Sequence, residues 1–217
     1  MHKNDRLYYK YYDYLYSGKN YKKEVEVILG LYREIKKEKP SSVLDVGCGT
    51  GKHDFLFAEH GIKVEGIDYD CDIIDVAKRE CVRKGLEDKC KFSCKKVENL
   101  DSSGFDLAFA LFHVINYIDN LESLRSFFNS INKALNNSGL FVFDCWNGIA
   151  AIIDNPQSNQ KSFDFKGYNI EIETSAKTDL MDQKSVISNE VEITDKETKK
   201  MDCLLYTSPS PRDLSTS

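Results

Sequence analysis

A glycine-rich turn between an apolar strand and a helix constrains this chain more than any other feature. Residues 43–51 read VLDVGCGTG, with apolar residues before the turn and a helical pattern after it. Glycines at such a turn let the backbone approach a ligand closely, and the helix N-terminus presents free N–H groups. The segment therefore predicts a strand–turn–helix unit with a ligand at the carboxyl end of the strand.

The first 147 residues alternate between strand and helix patterns. Strands are predicted at 42–46, 63–67, 91–94, 105–111 and 140–143, and helices at 21–37, 54–60, 72–85 and 121–135. This alternation predicts an α/β fold, a doubly wound and mostly parallel sheet of the Rossmann-like type.

Beyond residue 147 the pattern changes to half-exposed strands. Tyr168, Ile170 and Ile172 alternate with polar residues, and Ile187, Val191 and Ile193 do likewise. We expect accessory antiparallel strands over 148–202, after a Tyr-rich N-terminal lid at 1–20 and a ligand-binding domain at 21–147.

Two carboxylates indicate the chemistry of the ligand. Asp45, at the end of an apolar strand, would repel a pyrophosphate and attract an ammonium group. The sixth position of the glycine pattern is Lys52, whereas a dinucleotide site needs glycine there. Asp68 ends the second strand 21 residues after Gly47, where an acid accepts hydrogen bonds from ribose hydroxyls. A ligand with a ribose, an amine and no phosphate is indicated, which favours S-adenosylmethionine over a nicotinamide cofactor.

These segments resemble class I S-adenosylmethionine-dependent methyltransferases. VLDVGCGTGKH matches the family's first motif and VEGIDYD its second, and the similarity runs over about residues 12–147. The resemblance implies that S-adenosylmethionine is the cofactor. It implies the following cofactor-binding residues: Asp45, Gly47, Cys48, Gly49, Gly51, Asp68, Tyr69, Tyr21, Glu98 and Leu111.

The adenine contact departs from the family pattern. Relatives usually place Gly-Asp after the third strand, whereas this chain has Lys95 and Lys96 there, with Glu98 two residues on. Either Glu98 or a backbone group takes over the adenine contact, or the cofactor binds more weakly than in relatives.

Residues around the predicted pocket resemble small-molecule methyltransferases that act on amino sugars and small amines. They are Tyr12, Asp13, Tyr16, His53 and the segments 18–21, 111–117 and 144–148. Nucleic-acid amino-methyltransferases carry Asn-Pro-Pro-Tyr after the fourth strand, and that motif is missing here. The net charge of −5 also disfavours a nucleic-acid partner. We therefore expect methyl transfer to a nitrogen or oxygen of a sugar or small amine.

His113 and Tyr16 are the candidate catalytic residues. His113 follows the fourth strand, where open α/β sheets place their ligand sites, and could act as a general base. Tyr16, with Tyr21, matches positions from which the family's N-terminal lid closes. The alternatives are a structural hydrogen-bonded histidine and tyrosines that only pack. At the level of the whole protein, the alternatives are a nicotinamide-dependent oxidoreductase and a non-catalytic nucleotide-fold binding module.

The remaining composition excludes several other classes. No apolar run is long enough to span a bilayer and no signal peptide is recognisable, so we expect a cytoplasmic protein with reduced thiols. Cys90 and Cys94 lack a nearby histidine, so no metal site is expected. A homo-oligomer could form through the accessory strands.

The C-terminal residues differ from the rest of the chain. Residues 203–213 read CLLYTSPSPRD and resemble the translation of a widely used sequencing-library adaptor. We therefore expect 203–217 to be an artefact and the genuine protein to be truncated near Asp202. The family's last two sheet strands would then be missing, and the fifth strand would expose an edge.

Overall fold

A computed structural model describes residues 11, 14–16, 18–118, 120–146, 157–179 and 184–209. The chain divides into two compact units. The first is Lys19–Cys145, and the second combines Met1–Gly18 with Trp146–Ser217.

The first unit is a parallel sheet with helices. Its strands are β1 (Ser42–Val46), β2 (Lys63–Asp68), β3 (Cys90–Cys94), β4 (Phe105–Ala110) and β5 (Leu135–Phe143). Its helices are α1 (Tyr21–Lys36), α2 (Lys52–Glu59), α3 (Cys71–Lys84) and α4 (Leu121–Ala134), with 3₁₀ turns at Val97–Asn99 and Val114–Tyr117. All neighbouring strands run parallel in the order β3-β2-β1-β4-β5. The predicted doubly wound fold is confirmed.

Local chemistry fixes where the helices begin. The side chain of Asn20 accepts a hydrogen bond from the Lys23 amide at the start of α1, and Asn120 does the same for Ser123 at the start of α4. Asp70 caps α3 by accepting from Asp72 and Ile73. Each cap satisfies amides that have no partner inside the helix. Because Asp70 lies two residues after the end of β2, α3 begins almost directly after that strand.

The start of β5 differs from the prediction. The sequence predicts a strand at 140–143, but β5 begins at Leu135. Leu135 pairs with Phe105 and Leu140 pairs with Leu107, so the residues between them bulge out of the ladder. The polar run Asn137-Ser138-Gly139 is therefore an irregularity within the strand.

The second unit is an antiparallel sheet of β6 (Asn159–Phe165), β7 (Tyr168–Asp179), β8 (Lys184–Asp195) and β9 (Met201–Pro209), in that order. The two predicted accessory strands are confirmed as β7 and β8. Their buried face forms one apolar cluster with N-terminal residues. Its buried members are Tyr11, Leu15, Ile170, Ile172, Val191, Ile193 and Leu204.

Parts of both termini contribute to this second unit. Tyr11 donates a hydrogen bond from its hydroxyl to Asp202 Oδ2 (2.7 Å), and Tyr16 packs against the same cluster. Residues 203–209, within the segment that resembles an adaptor, form part of β9, so the sheet extends past the predicted boundary at 202. The origin of that segment stays a prediction, and most of the proposed lid at 1–20 lies outside the described residues.

Cys71 and Cys94 form a disulfide with their Cα atoms 4.9 Å apart. The expectation that the thiols are reduced is therefore wrong for this pair, because the fold brings together two cysteines that are 23 residues apart. The other described cysteines are free. In the described part of the chain, no helix is long and apolar enough to cross a membrane.

Candidate cofactor site

The glycine loop after β1 is anchored on the end of β2. The amides of Gly47 and Cys48 both donate to the Ile67 carbonyl oxygen, at 2.8 and 3.0 Å. The Gly49 amide donates to Asp68 Oδ2 at 3.1 Å. The fold thus joins the two motifs that the sequence singled out, because parallel pairing of β1 with β2 brings their carboxyl ends to one edge of the sheet.

Two loop glycines are required by both conformation and space. Gly47 has φ +78°, and a Cβ there would lie 2.4 Å from Val114 Cγ2. Gly51 has φ +79°, and a Cβ there would lie 2.8 Å from Phe92 Cζ. Any side chain would therefore strain the backbone and collide with the core. Gly51 also precedes α2, so the loop leads directly into a helix N-terminus.

Asp68 keeps hydrogen-bonding capacity for a ligand. Its Oδ1 accepts from the Asp70 amide at 3.0 Å, and its Oδ2 accepts from the Gly49 amide. A carboxylate has about four acceptor positions, so Asp68 keeps capacity for a ligand. Burial raises the pKa of Asp68, although hydrogen bonds from the amides of Asp70, Gly49 and Tyr69 oppose the shift. This geometry is compatible with the predicted ribose contact.

Two other carboxyl groups lie buried near Asp68. Asp45 on β1 is 2% exposed and Asp54 on α2 is 0% exposed. No described donor reaches Asp45 Oδ2 or either oxygen of Asp54. Burial raises the pKa of both acids, and the negative charge of Asp54 raises that of Asp45 further.

The remaining cofactor candidates differ in exposure. Tyr69 directly follows Asp68 and is 67% exposed. Glu98 is exposed on the 3₁₀ turn after β3, whereas Leu111 packs partly against the core. Near Glu98, the Lys95 ammonium pairs with Asp101 at 3.2 Å and is therefore engaged away from a ligand. Cys48 is buried, and burial raises the pKa of its thiol well above its ordinary value.

An ion-paired cluster connects α1 with the glycine loop. Glu24 contacts both Lys19 Nζ (2.6 Å) and His53 Nε2 (2.7 Å). Burial pushes the pKa of Glu24 up, but its hydrogen bonds to His53 and Lys19 outweigh this and hold it below its usual value. Tyr21 meets the His53 ring edge-on at 5.0 Å between centroids. The cluster thus joins His53 on α2 to Glu24 and Tyr21 on α1.

His113 occupies an unusual backbone position at the end of β4. Phe112 and His113 have φ values of +70° and +62°, which non-glycine residues rarely adopt. Asp144, just after β5, accepts from the Phe112 amide at Oδ2 (3.1 Å) and from the His113 amide at Oδ1 (2.6 Å). His113 Nδ1 lies 3.6 Å from Asp144 Oδ1, and its side chain is 44% exposed. The paired sequential left-handed residues mark this turn as a functional candidate.

Lys19, which pairs with Glu24, also contacts the turn that carries His113. Its Nζ lies 4.3 Å from the centre of the Phe112 ring.

Sequence reasoning missed the roles of Asp54 and Asp144. The signal for Asp144 was present, since an acid directly after β5 faces the same sheet edge as His113. Tyr16 belongs to the second unit, so its proposed catalytic role stays a prediction. Within the described residues, no group of three or more His, Cys, Asp or Glu could hold a metal ion.

Comparison with known proteins agrees with this geometry. Residues 43–139 match the model of a methyltransferase domain family. A sterol 4-C-methyltransferase of Caenorhabditis elegans is 29% identical over 102 residues, which are 46% of this chain and 29% of that protein. The chain thus spans well under half the length of this relative, and it spans 41% of a putative methyltransferase of Geobacillus.

Solved structures share the fold over almost the whole chain. DesVI of Streptomyces venezuelae has a TM-score of 0.79 at 19% identity, covering 96% of this chain and 84% of that one. The sugar N-methyltransferase KedS8 of Streptoalloteichus has a TM-score of 0.77 at 20% identity, covering 93% and 78%. Residues 43–139, just under half of the chain, therefore match a methyltransferase domain family, in agreement with the sequence resemblance.

Proposed function

We propose that this protein transfers a methyl group from S-adenosylmethionine to a nitrogen or oxygen of a small molecule, a sugar or a small amine. The observation that carries the proposal is the Gly49–Asp68 hydrogen bond. It joins a glycine loop to an acid that retains acceptor positions, beside the buried Asp45 and Asp54. Three neighbouring carboxyl groups suit a ligand with a ribose and an ammonium group.

The same carboxyl groups argue against the nicotinamide alternative. A pyrophosphate placed at the glycine loop would approach Asp45, Asp54 and Asp68, and the charges of Asp54 and Asp68 already raise the pKa of Asp45. Bringing two more negative charges to such a site carries an electrostatic cost. A cation is favoured at the same place.

When bound, S-adenosylmethionine supplies a methyl group already activated by its sulfonium. The chain's own residues then need to orient an acceptor in line with that methyl group, and such positioning can contribute about 7–11 kcal/mol. His113 is exposed enough to meet an acceptor and would take the proton that an ammonium or hydroxyl acceptor must lose. Asp68 and the Gly47–Gly51 loop would hold the ribose and methionine parts.

Calorimetric titration with S-adenosylmethionine, S-adenosylhomocysteine and NADH tests the cofactor. We expect both sulfur compounds to bind and NADH not to bind. Binding of NADH alone would assign the protein to the oxidoreductases. A radiolabelled-methyl assay over a panel of amino sugars and small amines then separates an enzyme from a binding module, because a module would bind S-adenosylhomocysteine without labelling any acceptor.

The second unit supports a proposal on self-association. Its exposed face carries Glu171 opposite Glu192 and Glu173 opposite Glu190. Like charges in opposed positions are unfavourable, and a second copy on this face would add more of them. We therefore propose that a homo-oligomer uses the edge strands of this sheet. Light scattering after size exclusion tests this, and a monomer at all concentrations would contradict it.

A further inference from the structure

The disulfide between Cys71 and Cys94 lies at the candidate cofactor site. Cys94 is the last residue of β3 and is the register partner of Asp68 on β2. Cys71 is the first residue of α3, three positions after Asp68. The bond therefore spans the turn formed by Tyr69 and Asp70, on which the predicted ribose contact depends. Cys94 Sγ also lies 3.7 Å from the Tyr69 carbonyl oxygen.

A disulfide across the Tyr69–Asp70 turn would affect cofactor binding, because this turn positions Asp68. The Asp70 amide holds Asp68 Oδ1, and the Lys95 amide donates to the Asp68 carbonyl oxygen at 2.8 Å. With the disulfide closed, both ends of the turn are fixed and the Asp68 carboxylate is held ready. With it open, the turn gains conformational freedom that a ligand must remove, and ordering it lowers affinity.

Position and exposure also suit this pair to thiol exchange. Cys71 is exposed and Cys94 is half-buried, whereas Cys48, Cys81 and Cys90 are buried. Cys71 opens a helix of 14 residues, and a helix N-terminus stabilises a thiolate, the leaving group when a disulfide is reduced. A reagent can therefore reach the bond from solvent.

We propose that Cys71 and Cys94 form a reversible thiol–disulfide exchange site that sets the affinity of the cofactor site, with low-molecular-weight disulfides such as glutathione disulfide as the oxidant. The proposal rests on the proposed function, since it concerns the same site. In the oxidising direction, the Cys71 thiolate attacks glutathione disulfide, forming a mixed disulfide and releasing one glutathione thiolate. The Cys94 thiolate then displaces the second glutathione. Two protein thiols are oxidised and one glutathione disulfide is reduced to two glutathione thiols, which take up the two protons that the cysteines release.

The test is calorimetric titration with S-adenosylmethionine after equilibration with glutathione disulfide or with dithiothreitol. Alkylation and mass spectrometry report the state of the two cysteines, and circular dichroism reports that the protein is folded. We expect the reduced protein to bind at least fivefold more weakly, because the free turn must be ordered on binding. C71S and C94S should bind like the reduced wild type under both conditions. The matched control C145S, which removes an exposed free thiol, should keep the redox response.

The outcomes separate this inference from the function it rests on. Binding of equal strength in both redox states, or alkylation of both cysteines after treatment with glutathione disulfide, overturns the exchange site and leaves the cofactor assignment intact. Absence of S-adenosylmethionine binding in both states overturns the proposed function itself. If C145S loses the response while C71S keeps it, the site has been assigned to the wrong cysteine.

Discussion

Asp45 on β1 and Asp54 on α2 are two interacting buried carboxyl groups, and no described donor reaches Asp45 Oδ2 or either oxygen of Asp54. The groups facing them are Asp68 and the thiols of Cys48 and Cys90, and each bears a negative charge if ionised. Burial raises the pKa of both acids, and the charges of Asp54 and Asp68 raise that of Asp45 further. The folded protein therefore retains a proton here that the unfolded chain releases.

Stability should consequently fall as the pH rises above about 4. Below that pH both acids are protonated in the folded and unfolded states, so they contribute no slope. As the pH rises through the window between the unfolded and the raised folded pKa, only the unfolded chain ionises. The free energy of unfolding then falls by at most about 1.4 kcal/mol per pH unit for each retained proton. Urea denaturation at half-unit intervals from pH 4.5 to 8 measures this slope.

Asp54→Asn supplies the variant for the same measurement. Asparagine has nearly the shape of aspartate but cannot ionise, so we expect a shallower slope than in the wild type. Asp88→Asn is the matched control, because Asp88 is exposed. An unchanged slope in Asp54→Asn would show that Asp54 does not cause the pH dependence.

Replacing Asp68 tests the ribose assignment. Asp68→Ala should weaken S-adenosylmethionine binding at least tenfold, about 1.4 kcal/mol, because it removes the acceptors for the ligand and the anchor of the Gly49 amide. Asp68→Asn keeps one acceptor oxygen and should lose less. Asp75→Ala, an exposed acid on α3, is the control and should bind normally. Unaltered affinity in Asp68→Ala would show that Asp68 does not bind the ribose.

The same substitution, glycine to alanine, should have opposite effects on stability in the glycine loop and on α1. Gly51→Ala should cost roughly 2–4 kcal/mol, since a Cβ at φ +79° is strained and would lie 2.8 Å from Phe92. Gly30→Ala on α1 meets nothing within 4 Å and should stabilise by about 1 kcal/mol through helix propensity. Thermal and urea unfolding of both variants check the opposite signs. Equal changes in stability would show that neither the positive φ nor the close contact with Phe92 requires glycine at position 51.

The sequence sufficed wherever a local pattern determines the structure. Strand β1 was predicted at its observed bounds, and most other ends in the first unit differ by one or two residues, because caps such as Asp70 and Asn120 are local signals. The start of β5 was missed because a bulge opposite Phe105 resembles a turn in sequence. The bulge is recognised only from the pairing of Leu135 with Phe105, which lies 30 residues earlier in the chain.

The missed site residues share one cause, which is that tertiary contacts define their roles. Asp54 lies in the first turn of α2, where an acid ordinarily faces solvent and the helix dipole, and nothing local indicates burial against Gly66. The Cys71–Cys94 bond depends on parallel pairing of β2 with β3. Sequence patterns therefore predicted where the strands end, but not which side chains from different elements contact each other there.

The turn that carries His113 should depend on Asp144. Two consecutive left-handed residues are costly, of order 1–3 kcal/mol each, and the Asp144 carboxylate offsets this by accepting both amides. Asp144→Ala should therefore speed hydrogen exchange at the Phe112 and His113 amides. It should also lower kcat at least tenfold on the acceptor that the labelling panel identifies, because a misplaced His113 would no longer be positioned against the acceptor.

Cofactor affinity should stay within twofold, because Asp68 and the glycine loop are untouched. Asp144→Asn, which can accept only one of the two amides well, should be intermediate in both readouts, and His113→Ala combined with Asp144→Ala should be no worse than His113→Ala alone. Additive losses in that double variant, or unaltered exchange at both amides, would show that Asp144 does not act through His113.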